Sequence, residues 1–312
     1  MALIGVLFFS AAGIVYGMEF RHVMTFGSEG EGEGQFRYVE DFALAANGQD
    51  LLVTDAATAW VQVFDKKTGK FITRFGGKGD EDHNLDKPEG ISADPKGNIW
   101  VADYNTGEVK IYDKEYKWIR TFSEYGSGPG QNMKSEFTDI YQGYYYMPEA
   151  GNHRVSVWDL DANFIFSFGK KGSGLGEMDN PEAAKFNSRG ELIVSDLNNG
   201  RLIAYKVSPA QKQAEVLRTI GSPGSEKGRL KACAGVGIDK DDNMYVGEIG
   251  NDRVQVFSPD GESIAMWGKK GSGTGEFGNI HGVFVDKESG WVYVADTANN
   301  RVQVFSPIVK SE

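Results

Sequence analysis

The chain has 312 residues, is 40% hydrophobic and carries a formal charge of −11. That apolar content is ample for a core, and the excess of acid repels phosphate backbones, which argues against nucleic acid as a partner. Cys233 is the only cysteine, so an internal disulfide and a thiolate metal cluster are excluded.

Met1–Gly17 (MALIGVLFFSAAGIVYG) is continuously apolar or small. It reads as a cleaved export signal, although no lysine or arginine precedes the apolar run. An uncleaved membrane anchor is the alternative, because seventeen residues reach the lower limit for spanning. Residues 18–312 then form the folded domain, in a periplasmic or extracellular setting.

Arg21–Phe26 (RHVMTF) reads as a lone strand. It is followed by GSEGEGEGQF, a combination that elsewhere ends a repeat, as in WIRTFSEYGSGPGQ and SIAMWGKKGSGTGEF. Six copies of a strand–turn–strand phrase come next, the last being VYVADTANNRVQVF at Val292–Phe305. The acids that open the turns are Asp55, Asp103, Glu149, Asp196, Glu248 and Asp296, spaced 48, 46, 47, 52 and 48 residues apart. A period of this size with several strand signals per unit means a propeller. In the second repeat four strands are predicted near Gly90–Asp94, Ile99–Ala102, Val109–Asp113 and Trp118–Phe122. The fourth repeat carries an insertion, Ser208–Glu215, predicted as a polar surface loop. The last repeat stops at Ser306-Pro307 without its fourth strand, so residues 21–26 are predicted to supply it and shut the ring. The fold class is therefore all-β, a six-bladed β-propeller of four-stranded antiparallel blades closed by the N-terminal strand.

An acid followed by Asn-x-Arg-Val-x-Val-Phe, with G-S-G-x-G-E/Q-F between blades, resembles the NHL repeat family. The resemblance covers residues 21–307. It implies one of several roles: protein-interaction scaffold, RNA-binding module, extracellular sensor or, in one branch, a zinc- and calcium-dependent amidating lyase. RNA binding needs a basic face, and the lysine pairs here are scattered over an acidic chain.

Four acid–arginine pairs, Glu149/Arg154, Asp196/Arg201, Glu248/Arg253 and Asp296/Arg301, repeat at one spacing and read as architecture. Blades one and two place Trp60 and Glu108 where the arginine belongs. With Tyr104 they are expected to form a rim sector that contacts a partner. The glycine loops precede strands and lack a Gly-Lys-Ser/Thr ending, so they read as turns. By repeat alignment the channel mouth carries Glu40, Glu89, Thr138, Glu182, Ala234 and His281. Glu40, Glu89, Glu182 and His281 would suit a ligand or a hard divalent cation such as calcium. The lyase branch of the resembled family holds zinc with three histidines, and only His281 matches, so no cofactor is expected and no catalytic residue is assigned. The run Asp239–Asn243 reads as a hairpin turn. The function expected is a non-enzymatic scaffold that docks another protein, exported or in a membrane-associated complex. The alternative is a hydrolase or lyase that depends on a channel cation.

Overall fold

The computed structural model describes residues 17–310. β1 (Gly17–Phe26) leads the chain. Blade one is β2 (Val39–Leu44), β3 (Asp50–Asp55), β4 (Trp60–Asp65) and β5 (Phe71–Gly76). Blade two is β6 (Pro88–Ala93), β7 (Ile99–Asp103), β8 (Val109–Tyr112) and β9 (Trp118–Phe122). Blade three is β10 (Asp139–Tyr141), β11 (Tyr144–Glu149), β12 (Arg154–Asp159) and β13 (Phe164–Phe168). Blade four is β14 (Pro181–Phe186), β15 (Glu191–Asp196), β16 (Arg201–Ser208) and β17 (Gln213–Ile220). Blade five is β18 (Cys233–Ile238), β19 (Met244–Glu248), β20 (Arg253–Phe257) and β21 (Ser263–Trp267). Blade six is β22 (Ile280–Val285), β23 (Val292–Asp296), β24 (Arg301–Lys310) and, last, β1.

The ring closes as the sequence predicts, with a longer seam. β1 pairs antiparallel with β24 from Gly17↔Lys310 to Phe26↔Val302. The pairing starts four residues before Arg21 and runs past Pro307. The export or anchor segment expected at residues 1–17 lies outside the described residues, apart from Gly17. The insertion in blade four is at the surface as expected, but only its tip, a 3-10 turn at Pro209–Gln211, is a loop. It lengthens β16 and β17 into one hairpin, paired out to Ser208↔Gln213. Extending a ladder satisfies backbone groups that a loop would leave to water.

Second and third strands are buried on both faces, because each sheet packs between two neighbours. This is why β3, β7 and β23 read as apolar runs and not as clean alternation. At the seam, Phe26, Val302 and Val304 pack with Phe36, Phe42 and Phe64 of blade one. Phe20 stacks on Trp267 of blade five with ring centroids 3.7 Å apart. A buried phenylalanine contributes roughly 1.5–3 kcal/mol, so the seam is held by packing as well as by ladder bonds.

The turn acids are staples. Arg154 Nε donates to Glu149 at 3.0 Å, Arg201 Nε to Asp196 at 2.8 Å, and Arg253 and Arg301 to Glu248 and Asp296 at 2.6 Å each. Each guanidinium then reaches back to the glycine loop before its blade. Arg154 donates to the carbonyls of Ser127, Gly128 and Gln131, and Arg301 to those of Gly273 and Glu276. The motif asparagines join the same net, with Asn299 bonded to Asp296 at 2.8 Å and to Gly271 O at 2.9 Å. Asp239–Asn243 is a hairpin turn, in which Asp239 accepts from the Asp241 and Asn243 amides.

Candidate functional site

In five blades the first strand slips register against the second just after the residue that pairs with the turn acid. A bulge of this kind re-aims a side chain. Here it brings Glu40, Glu89, Glu182 and His281 to one end of the channel, with Ala234 at the same position in blade five. Blade three departs from the alignment. Ser135 pairs with Glu149 and Asp139 with Tyr146, so Glu136 takes the ring position and Thr138 sits deeper, bonded to Ser92 Oγ at 2.7 Å. Counting back from the turn acid would have found it. Glu136 precedes Glu149 by 13 residues, against 14 or 15 in the other blades and 11 for Thr138.

The ring is four carboxyls and one imidazole, nearly closed to water. Glu40, Glu89, Glu136 and Glu182 are 1%, 3%, 4% and 6% exposed, which makes ionising all four together costly. Burial, reinforced by their mutual repulsion, pushes Glu89 up to about 7 and Glu182 up to about 8. The same causes hold Glu136 well above the carboxylate range, and burial followed by Asp41 and Asp55 does so for Glu40. Glu136 hydrogen-bonds to both Glu89 and Glu182, an arrangement in which carboxyls share protons. Burial lowers His281. Asn279 Nδ2 lies 3.1 Å from Nε2 of His281, and His281 Nδ1 lies 2.8 Å from Glu40 Oε2, off the hydrogen-bonding direction.

Lys87 serves the ring. Lys87 Nζ lies 2.5 Å from Glu89 Oε1 and 3.9 Å from the centre of the Tyr104 ring. An ammonium held between a carboxylate and an aromatic face is well satisfied. Among the described residues no three His, Cys, Asp or Glu side chains are disposed to hold a metal ion. Lys87 was not visible in the repeat pattern.

Below the ring the channel narrows to a waist. A Cβ at Gly90 would collide with the Glu136 carbonyl oxygen, and one at Gly282 with that of Glu40. Only glycine lets the innermost strands approach this closely.

The three rim residues do not form one patch. Tyr104 turns to the ring, where burial and the acids there push its hydroxyl up to about 12. Glu108 pairs with Lys110 at 3.2 Å. Trp60 lies at the outer edge under Arg74, whose guanidinium carbon is 4.3 Å from the ring centre. It lines a groove of about 840 Å³ between blades one and two, with Arg74, Phe75 and Trp118 on the strands, Tyr116 on the turn before the last strand of blade two and Asp80–His83 on the loop. Ile72 and Ile119 are exposed on the same outer strands, at 48% and 45%.

Residues 237–307 match a family described as a 6-bladed beta-propeller, DUF5128, and residues 85–112 match the NHL repeat. Protein brain tumor of Drosophila melanogaster is 31% identical over 147 residues, 46% of this chain and 14% of that protein. NHL repeat-containing protein 3 of Homo sapiens is 25% identical over 243 residues, 70% of this chain and 66% of that protein. The chain thus spans less than two thirds of these relatives. A structural genomics protein of unknown function from Bacteroides thetaiotaomicron superposes with a TM-score of 0.68 at 14% identity, over 94% of this chain and 76% of that one. At that identity the likeness is one of fold.

Proposed function

We propose that this chain, which is an NHL-repeat six-bladed β-propeller, is a non-enzymatic platform that docks another protein, exported or held in a membrane-associated complex. The observation that carries the reading is the groove between blades one and two. Trp60, Phe75, Tyr112, Tyr116 and Trp118 line it with Arg74, and tryptophan, tyrosine and arginine are the residues that anchor protein interfaces. Asp80, Glu81 and Asp82 add an acidic lip. The fitting partner presents an extended basic segment with one or two apolar anchors. The apolar composition of residues 1–17 supports export.

The second reading is a hydrolase or lyase dependent on a channel cation; among the described residues no three His, Cys, Asp or Glu side chains are grouped as a metal site. Metal analysis of purified protein, with Glu89→Gln and His281→Ala as controls, decides against the docking reading if a stoichiometric ion is found and lost in both variants.

The direct test is co-purification from the native source with immobilised wild-type chain, Trp60→Ala and Asp80→Lys. The partner is retained by the wild type and lost from both variants, while the melting temperature moves by a few degrees at most. Equal retention by all three removes this groove as the docking site. Fractionation of cells expressing the full chain tests export; recovery in the cytosol alone would end that part of the reading.

A further inference from the structure

Beyond the glycine waist the channel opens into a second compartment of about 230 Å³, lined by the innermost strand of every blade. Its walls differ in kind. Apart from Lys287 at the lip, its polar side chains Asp41, Ser92, Thr138, Asp139 and Lys185 come from blades one to four, which also contribute Ile91 and Phe186, while blades five and six contribute Val236, Ile238, Val283 and Val285.

Lys185 crosses this compartment. It starts on β14 in blade four, and its Nζ lies 3.5 Å from Asp41 Oδ2 on β2 in blade one, the opposite side of a six-membered ring. It donates to the Thr138 carbonyl at 2.7 Å. An ammonium has three donors. One is well used here, and the contact to Asp41 is long for a charge-assisted bond, which favours about 2.7–2.9 Å. Asp41 is buried and accepts the Ile91 amide. The strand position of Lys185 is held by Ser92, Asp139 and Phe284 in blades two, three and six, so no repeat rule demands a lysine there. Lys287 stands exposed at the lip.

We propose that this compartment binds a small zwitterion, an α-amino acid with an apolar side chain. Its carboxylate takes the spare donor of Lys185 and faces Lys287. Its ammonium faces Asp41 and Asp139, and its side chain lies on the valine and isoleucine wall. The volume equals that of roughly eight waters, which admits one amino acid. Lys185 is half-buried, and the ligand completes a pairing that Asp41 makes only loosely.

Calorimetry on the intact chain tests this with L-leucine, and with 4-methylpentanoate and 3-methylbutylamine as probes that carry one charge each. Leucine binds saturably at one site, and neither single-charge probe reaches about a tenth of its affinity, a difference of about 1.4 kcal/mol. Lys185→Met weakens leucine at least about tenfold. Lys287→Gln, at an exposed position, weakens it severalfold and serves if the first variant does not fold. Trp60→Ala leaves leucine binding intact, which separates this site from the docking groove. Absence of saturable binding, equal binding of either single-charge probe, or unchanged affinity in the lysine variants overturns the proposal.

Discussion

Blades three to six and blades one and two solve the same problem with different donors. Each glycine loop has carbonyls that need a partner where they meet the following blade. In blades three to six the arginine at the start of the third strand supplies it, tied to its turn acid. In blade one that position is Trp60, and the bond is supplied from the fourth strand, where Arg74 donates to Glu31 O at 2.9 Å. Glu31 holds the loop position of Ser127 and Ser225, the carbonyls that Arg154 and Arg253 take. In blade two Lys110 donates to Asp82 O at 2.9 Å. The fold requires the bond and not the residue. Moving the donor frees the third-strand position in blade one, and the freed position carries the tryptophan of the groove.

The sharpest way to break this comparison is to remove a staple. Arg301→Met leaves Asp296, fully buried, without its charge partner and with only the neutral donors Gly278 N, Asn299 and Gln303. Losing one partner of a buried pair costs about 3 kcal/mol, read as a lower urea midpoint at unchanged slope. A loss under about 1 kcal/mol would mean that the pair is no better than a surface salt bridge.

The next difference lies at the channel, where blades one to four supply carboxyls and blade five supplies Ala234. The folded state holds protons on Glu89 and Glu182 that the unfolded chain has released above its ordinary carboxyl value. Their favourable term is fully present below about pH 4.5 and is lost as pH rises through about 7 to 8, so stability falls across that window. Glu191, held down to about 2 chiefly by its hydrogen bond to Arg218, acts oppositely and only at low pH. Glu89→Gln flattens the neutral part of the profile; a wild-type profile that rises from pH 5 to pH 8 contradicts the proton-sharing ring.

Arg74→Met tests whether the relocated donor matters in blade one. It removes a charged hydrogen bond and a cation–π contact, and the expected loss is about 1–2 kcal/mol by thermal or urea unfolding. No measurable change would return the Glu31 carbonyl to water and undo the equivalence of the two solutions. The smallest effect belongs to Trp60→Arg, which writes the majority residue into blade one. Stability should change by less than about 0.5 kcal/mol, as for surface substitutions, while partner retention is lost. A large destabilisation would make Trp60 a packing residue, with no need of a partner to explain it.

Much of this molecule was legible from the chain alone. The turn acid and its arginine lie five residues apart, so their pairing needs only a hairpin. Six copies at a near-constant period fix the blade count, and a strand left over at one end with a blade short of one at the other fixes the closure. The site was legible only in part. Glu40, Glu89, Glu182 and His281 follow from repeat position, but Glu136 was displaced by an irregular first strand in blade three. Lys87, which serves the ring, and Arg74, which replaces an arginine on another strand, leave no periodic trace. The contact of Lys185 with Asp41 joins residues 144 positions apart across the channel. Local spacing determined every interaction confined to one blade. Interactions between blades depend on the radius and twist of the assembled ring, which sets how close the innermost strands come, and only the tertiary structure decided those.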